Sequence, residues 1–324
     1  MRVFSSVVVG LGRIGQGYDY DCPDDAKILT HAAAFAHHPG FELMAGVDRD
    51  PGQRRRFEAK YRRPAYPDLA SLWSAHEPEV YALAVPTPHH FSMCQAVIDR
   101  HPLAVLCEKP MAGSLAEGRE MVTAATVQNC VLAVNYIRRC EPGVRALRAA
   151  ITRGQFGEIF KGVVWYGKGI KNNGSHFIDL LHFLLGDVTD VRVLKNGRRW
   201  EGSDPEPDVC LLFGETPVYL LAGREECYSL AEMELFGTKA RITYGDGGAR
   251  IEVSPTRPDP VFPGYTILER NKETIPNHLH RYQWFVQDHL YRHLDAGEAL
   301  WIDGRSALGA LDVIEQICER VKEA

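Results

Sequence analysis

The chain has 324 residues, 45% hydrophobic and 24% charged, with 37 basic against 42 acidic side chains and a formal net charge of −5. That is an ordinary globular composition, with enough apolar material for about two domains with their own cores, and its interspersed charge argues against nucleic acid as the main partner. Eight cysteines stand singly, with no Cys-x-x-Cys pair for a zinc knuckle or dithiol motif, and no apolar stretch reaches the ~18 residues of a membrane span.

The opening residues, 3–9, read as a strand rather than a cleavable leader, so the reducing cytoplasm is the expected compartment. Residues 7–9, 42–47, 80–85, 103–107 and 131–134 read as buried strands, continuous rather than alternating in their apolar residues, the pattern of parallel strands covered on both faces. Amphipathic segments such as 91–100 and 115–129 lie between them. This alternation predicts a doubly wound α/β, Rossmann-type domain over residues 1–135. The basic run Arg54-Arg55-Arg56, with Arg62-Arg63, reads as a solvated helix face.

From about residue 155 the pattern changes. Strand-like runs at 159–166, 188–194, 209–213, 218–222, 231–236, 240–244 and 249–253 are joined by turns such as Gly245-Asp246-Gly247-Gly248, which favours antiparallel hairpins. A proline-rich loop at 254–264 comes next, then helical patterns near 277–295 and 304–322. Residues 136–324 are therefore expected to form a second, α+β domain with a mostly antiparallel sheet and helices on one face.

Three motifs carry chemistry. Gly10-Leu11-Gly12-Arg13-Ile14-Gly15 directly follows the first strand; there glycines permit a tight turn, close approach of backbone to a pyrophosphate, and close helix packing. The N–H groups and partial positive charge of a following helix would favour that anion. Asp48, at the end of the second strand, can bind the adenosine ribose hydroxyls and repel a 2′-phosphate, so NAD is expected before NADP; Arg49, able to clamp a phosphate, is the counterargument. Such an acid usually stands about 20 residues past the glycines. Here residues 17–25 read as an insertion ahead of a main helix at 31–37, at the rim of the crevice. The third motif is Glu108-Lys109-Pro110, at the carboxyl end of a parallel strand and hence in the ligand crevice. A neighbouring positive charge and partial burial both depress a lysine pKa, which makes Lys109 a candidate acid/base for an alcohol–ketone pair. The plain alternatives are a glycine-rich turn, a turn aspartate and a solvated lysine.

In this order, with Ala84-Val85-Pro86-Thr87-Pro88-His89-His90 between the second and third, the motifs resemble the glucose-fructose oxidoreductase, inositol dehydrogenase and MocA family. The resemblance continues through residues 135–139, 154–159 and 174–180 and into the closing helices. It implies a Rossmann domain, a second domain whose open sheet mediates homodimers or homotetramers, and a sugar-like small-molecule substrate. The cofactor-binding residues it implies are Gly10, Gly12, Arg13, Ile14, Gly15, Asp48, Arg49, Val85, Pro86, Thr87, His90, Glu108, Lys109 and Asn135. It also implies that His176 faces the reacting carbinol beside Lys109, with Asp179 mainly structural.

One position departs from the family. Many members carry an aspartate four residues before the active-site histidine; this chain has Asn172, an amide that cannot take a proton at neutral pH. The catalytic candidates are thus Lys109 and His176, with Asn172 beside them. Arg138, Arg139, Lys168, Lys171, Asn172 and His176 are candidates for contacting a polar substrate, with His278 and His280 as further possibilities and His182 structural. No pattern of metal ligands is seen, since His37-His38 and His89-His90 are adjacent and do not face one site. The expected reaction is hydride transfer between nicotinamide C4 and a secondary alcohol or ketone of a sugar, sugar nucleotide or cyclic polyol. The rival is a dinucleotide-binding sensor that keeps the fold and has lost the chemistry. Asn172 favours it; the Lys109–His176 pair opposes it.

Overall fold

Two sheets organise the chain, one in each of two units, and the structure, a computed structural model, describes residues 2–23 and 27–323. In chain order the first part runs β1 (Phe4–Val9), α1 (His31–His37), β2 (Phe41–Val47), α2 (Pro51–Tyr61), β3 (Ala65–Tyr66), α3 (Leu69–Trp73), β4 (Val80–Leu83), α4 (His90–Ile98), β5 (Ala104–Cys107), α5 (Leu115–Val127), β6 (Val131–Val134) and α6 (Ile137–Cys140). Its strands pair in parallel in the order β3-β2-β1-β4-β5-β6. That is the doubly wound Rossmann order, with the ligand crevice outside the carboxyl ends where the order reverses between β1 and β4.

Local chemistry sets the helix starts. Thr30 caps α1 by accepting the Ala33 N–H, Asp50 caps α2 with Pro51 in the first turn, and Ser114 caps α5 by accepting the Glu117 N–H. Each cap contributes about 1 kcal/mol. The continuous apolar runs are buried on both faces, as expected for parallel strands: Val7, Val8, Val9, Val80, Leu83, Ala104 and Leu106 are inaccessible or nearly so.

The second part continues with α7 (Pro142–Thr152), β7 (Ile159–Tyr166), α8 (Ser175–Leu185), β8 (Asp190–Trp200), β9 (Asp204–Phe213), β10 (Thr216–Ala222), β11 (Glu232–Gly237), β12 (Ala240–Gly245), β13 (Arg250–Pro258), β14 (Thr266–Leu268) and β15 (Glu273–Thr274). Among the described residues its nine strands run β14-β13-β12-β11-β7-β10-β9-β8, with β15 on β13, and only β7 and β10 pair in parallel. The expected mostly antiparallel sheet is therefore present. One face buries Val164, Tyr166, Leu220, Leu235, Ile242 and Tyr244, with Phe177 of α8 edge-on to Tyr244. The other carries Lys161, Val163 and Trp165 of β7, with Trp165 42% exposed. The proline-rich stretch is not all loop: β13 runs on through Pro255 to Pro258 and pairs with β14, next to the sheet margin where proline is tolerated.

The chain closes with α9 (Tyr282–Ala296) and α10 (Gly304–Glu323). Here the expected boundary needs correction. The first unit runs through Cys140 and takes in His280–Leu311; the second holds Glu141–Leu279 and the chain from Asp312. The expected second domain, 136–324, thus loses α9 to the first. The cause is packing: Val286, Leu290 and Tyr291 of α9, with Ile302, complete the core around Phe4, Val8, Phe35 and Phe41. Gly40 makes room for this, since a Cβ there would lie 2.2 Å from the Tyr291 ring. No helix among the described residues is long and apolar enough to cross a membrane.

Candidate active site

In the first unit, one backbone pattern fixes the crevice edge. Gly10, Ala84, Glu108 and Asn135 each donate their N–H to the last residue of a neighbouring strand, the carbonyls of Val47 (2.8 Å), Val9 (2.7 Å), Leu83 (3.0 Å) and Cys107 (2.8 Å). The loops carrying the sequence motifs are therefore anchored at one end of the sheet.

The glycines of the first motif do different work. Gly10 has φ +94° and a Cβ on it would meet the Ala84 carbonyl oxygen at 2.5 Å; one on Gly15 would meet the Gly10 oxygen at 2.0 Å. A Cβ on Gly12 would meet nothing within 4 Å, and Gly12 and Arg13 are exposed. Two glycines are thus demanded by the fold, while the third leaves open backbone of the kind a pyrophosphate approaches. The motif runs into a single π-helical turn, Arg13–Gly17, holding Ile14, with the Gly17 N–H on the Gly12 carbonyl, and not into the long helix of the usual pattern.

Residues 24 and 25 of the expected insertion lie outside the described residues. The part before them is packed down: Asp19 accepts the Leu29 and Thr30 N–H groups, Tyr20 stacks under the Arg56 guanidinium, and Lys60 donates to the carbonyls of both. Of the basic run read as solvated, Arg56 therefore holds Tyr20, and Arg54 donates to the Asp48 and Arg49 carbonyls. Asp48 stands half-buried at the end of β2. Its carboxylate accepts the Leu11 N–H at 2.8 Å and the Asp50 N–H at 2.8 Å, binding the glycine turn to β2; Arg49 beside it is exposed.

After β4, Val85 and Pro86 lead into a short 3₁₀ turn that includes Thr87. His90 is buried and spans two loops, Nε2 at 2.8 Å from the Val85 carbonyl and Nδ1 at 2.9 Å from that of Pro110. Lys109 is half-buried, and its peptide bond to Pro110 is cis.

Glu108 heads a buried polar network. Its Oε1 accepts from His31 Nε2 at 2.8 Å and Asn135 Nδ2 at 2.6 Å, and its Oε2 faces the Lys109 N–H at 3.2 Å. Behind them Gln283 Nε2 lies 3.2 Å from His31 Nδ1 and 3.1 Å from Asn135 Oδ1, and Gln287 Nε2 is 3.3 Å from His31 Nδ1. Burial opposes the Glu108 charge, but the His31 and Asn135 bonds and the Lys109 charge outweigh it and hold the carboxyl below its ordinary range. His31, Gln283 and Gln287 were not singled out by sequence. Asn135, expected at the cofactor, is 1% exposed, with both amide hydrogens on Glu108 and Gln283 and its carbonyl on Gln283, so it supports Glu108 from behind. Arg139, expected at the substrate, is likewise buried, with Nη1 on the Trp301 carbonyl, while Arg138 before it is half-buried.

In the second unit a π-helical turn, Gly169–Gly174, leads directly into α8 and carries Lys171 and Asn172, both exposed. Asp204 of β9 accepts the Lys171 N–H at Oδ1 and the Asn172 N–H at Oδ2, each at 3.0 Å. Buried Glu206 accepts the Gly169 N–H and pairs with Arg198 at 2.6 Å. Gly169, at φ +84°, is needed, because a Cβ would fall 2.1 Å from the Asp204 carboxyl carbon. His176 is the second residue of α8, half-buried, and Ser175 donates to the Asn172 carbonyl. Lys168 pairs with Glu225 at 2.9 Å; burial of Glu225 is outweighed by its Ser229 and Lys168 partners, which lower its pKa. His280 gives its backbone carbonyl to the Ile28 N–H, and the His278 N–H is taken by Glu141.

Residues 4–136 match the oxidoreductase family with an NAD-binding Rossmann fold, Gfo/Idh/MocA. The chain is 28% identical over 183 residues to D-apiose dehydrogenase of Paraburkholderia graminis, covering 49% of this chain and 47% of that one. It is 33% identical over 204 residues to inositol 2-dehydrogenase of Pseudomonas fluorescens, covering 58% and 56%. The chain spans about half the length of the curated relatives it matches. Its fold superposes on the WlbA dehydrogenase from Bordetella pertussis, solved with NADH and UDP-GlcNAcA, with a TM-score of 0.78, 18% identity and coverage of 99% and 96%.

Proposed function

On the premise that the chain belongs to the Gfo/Idh/MocA oxidoreductase family, we propose that it transfers a hydride between nicotinamide C4 and a secondary alcohol or ketone of a sugar-like substrate. The observation that carries this is the fixed crevice edge of the first unit, where open backbone at Gly12 and a buried network under Glu108-Lys109 stand at the carboxyl ends of parallel strands. A nicotinamide dinucleotide, when bound, supplies the hydride acceptor or donor. Gly12 and Arg13 would receive its pyrophosphate, Asp48 its adenosine ribose, and the Val85–Thr87 loop, tied by His90 to Pro110, would flank the ring. Lys109 Nζ takes the hydroxyl proton in oxidation and returns it in reduction, with His176 as partner or alternative base. Asn172, Lys171, Lys168 and Arg138 are the remaining candidates for orienting hydroxyls. Asp48 favours NAD over NADP.

Candidate substrates come from the relatives: D-apiose, inositols, and sugar nucleotides such as UDP-GlcNAcA. The test is to follow reduced-nicotinamide absorbance over that panel with either cofactor, for wild type and for Asn172→Ala and Asn172→Asp. Turnover on at least one member supports the reading. A second reading, a dinucleotide sensor, is favoured by the amide at 172; it takes over if wild type binds dinucleotide tightly, turns over none of the panel, and Asn172→Asp gains activity. A cytoplasmic site of action fits cysteines that stand singly along the sequence. Assembly as a homodimer or homotetramer through the open face of the second sheet accounts for Trp165 lying exposed on a central strand. Light scattering should then show an oligomer that Trp165→Glu dissociates.

A further inference from the structure

The Glu108 network holds more than a structural carboxylate requires. His31 is fully buried at the start of α1, and its Nδ1 faces two side-chain amides, Gln283 and Gln287, which approach through their nitrogens at 3.2 and 3.3 Å. An amide nitrogen can only donate, so Nδ1 is the acceptor and the ring proton sits on Nε2, pointed at Glu108 Oε1. Asn135 donates to the same oxygen. Glu108 is thus held as an anion by the His31 and Asn135 donors, with Lys109 the neighbouring positive charge.

We propose that His31 is a positioning residue that, through Glu108, biases the crevice toward the oxidised over the reduced nicotinamide. This rests on the dinucleotide reading above. The oxidised ring carries a positive charge and the reduced ring is neutral, so a fixed carboxylate at the end of β5 attracts the first and not the second. The bias depends on Glu108 staying ionised, and burial alone would drive it toward the neutral acid. His31 and Asn135 prevent that. Among the described residues, the other ionisable groups around the network are Cys107 and Lys109, on either side of Glu108, and Tyr282 of α9, itself near Asp19, Tyr18 and Arg138. A Glu108→Gln exchange removes one negative charge whatever their state.

The experiment measures dissociation constants for NAD+ and NADH by calorimetry, which needs no substrate. The proteins are wild type, Glu108→Gln, His31→Leu and His31→Gln, whose amide can replace the Nε2–H donor. Glu108→Gln and His31→Leu should shift the NAD+ to NADH affinity ratio against NAD+ by on the order of tenfold, while His31→Gln keeps the wild-type ratio. Nitrogen NMR of histidine-labelled wild type should show the His31 proton on Nε2. Equal weakening of both cofactors in Glu108→Gln or His31→Leu, failure of rescue by His31→Gln, or a proton on Nδ1 overturns the proposal. If His31→Leu does not fold, the isosteric Glu108→Gln decides. Wild type that binds neither cofactor overturns the functional reading and this proposal together, whereas tight binding with an unmoved ratio overturns this proposal alone.

Discussion

The Asp204 carboxylate accepts the backbone N–H of Asn172, Oδ2 to N at 3.0 Å, and so sets the turn that carries this amide in place of the aspartate the sequence resemblance leads one to expect. Burial raises the Asp204 pKa, and neighbouring Glu206 adds to this, against the N–H bonds and the Lys171 charge. The folded state therefore binds this proton more tightly than the unfolded state. Between the ordinary aspartate value and the raised one, stability falls as pH rises, because only the folded form is still protonated there. Thermal unfolding across the acidic range should show this slope in wild type and its loss in Asp204→Asn. Parallel pH profiles for the two proteins would count against it.

The glycine turn separates folding from binding. Gly12→Ala should fold with a melting temperature near wild type, since its Cβ has open space, yet lose dinucleotide affinity by roughly tenfold or more. Gly15→Ala should act first on stability, losing about 1–3 kcal/mol as its Cβ is forced against the Gly10 carbonyl. Denaturant titration and cofactor fluorescence on both variants decide the matter.

Asp48 has two duties that a variant can part. Asp48→Ala should narrow any NAD advantage over NADP, and it should also destabilise the protein by about 1–3 kcal/mol by leaving the Leu11 and Asp50 N–H groups without their carboxylate. Asp48→Asn keeps an acceptor and should recover part of the stability while still losing cofactor discrimination. Tighter NADP than NAD binding in wild type would reverse the cofactor assignment.

Lys109→Ala should lower turnover on a confirmed substrate by roughly 10²-fold or more, the range for a lost general acid/base, with dinucleotide affinity changed far less. Normal turnover in this variant would remove Lys109 from the proton path.

The first sheet was legible because continuous apolar runs such as 131–134 and 103–107 can only be buried on both faces, and the glycine motif marks the first turn. The support of Glu108 was not. His31, Asn135 and Gln283 meet across 252 residues between His31 and Gln283, and no local pattern encodes such a pair. A clue did exist: Gln283 and Gln287 lie four apart on the same face of α9 as Val286 and Leu290, and amides on an apolar stripe imply buried partners. Asp204 and Glu206 stood in what sequence reads as a polar turn, because β9 begins five residues earlier than its apolar run at 209. The placement of α9 was hidden for a simpler reason. Its apolar face specifies burial, and nothing in the pattern says against which sheet.

That placement has a consequence for how the protein is made. Synthesis delivers β1 to β6 long before Val286, Leu290 and Tyr291, so the growing chain carries an uncovered face on its first sheet until α9 has left the ribosome. Over the same interval Glu108 and His31 wait for the two glutamines. The unit that starts first is therefore finished only after the whole of the second sheet has been translated. A fragment ending near residue 135 lacks the residues that close its core, and expressing the dinucleotide-binding portion alone calls for grafting 280–311 back onto it.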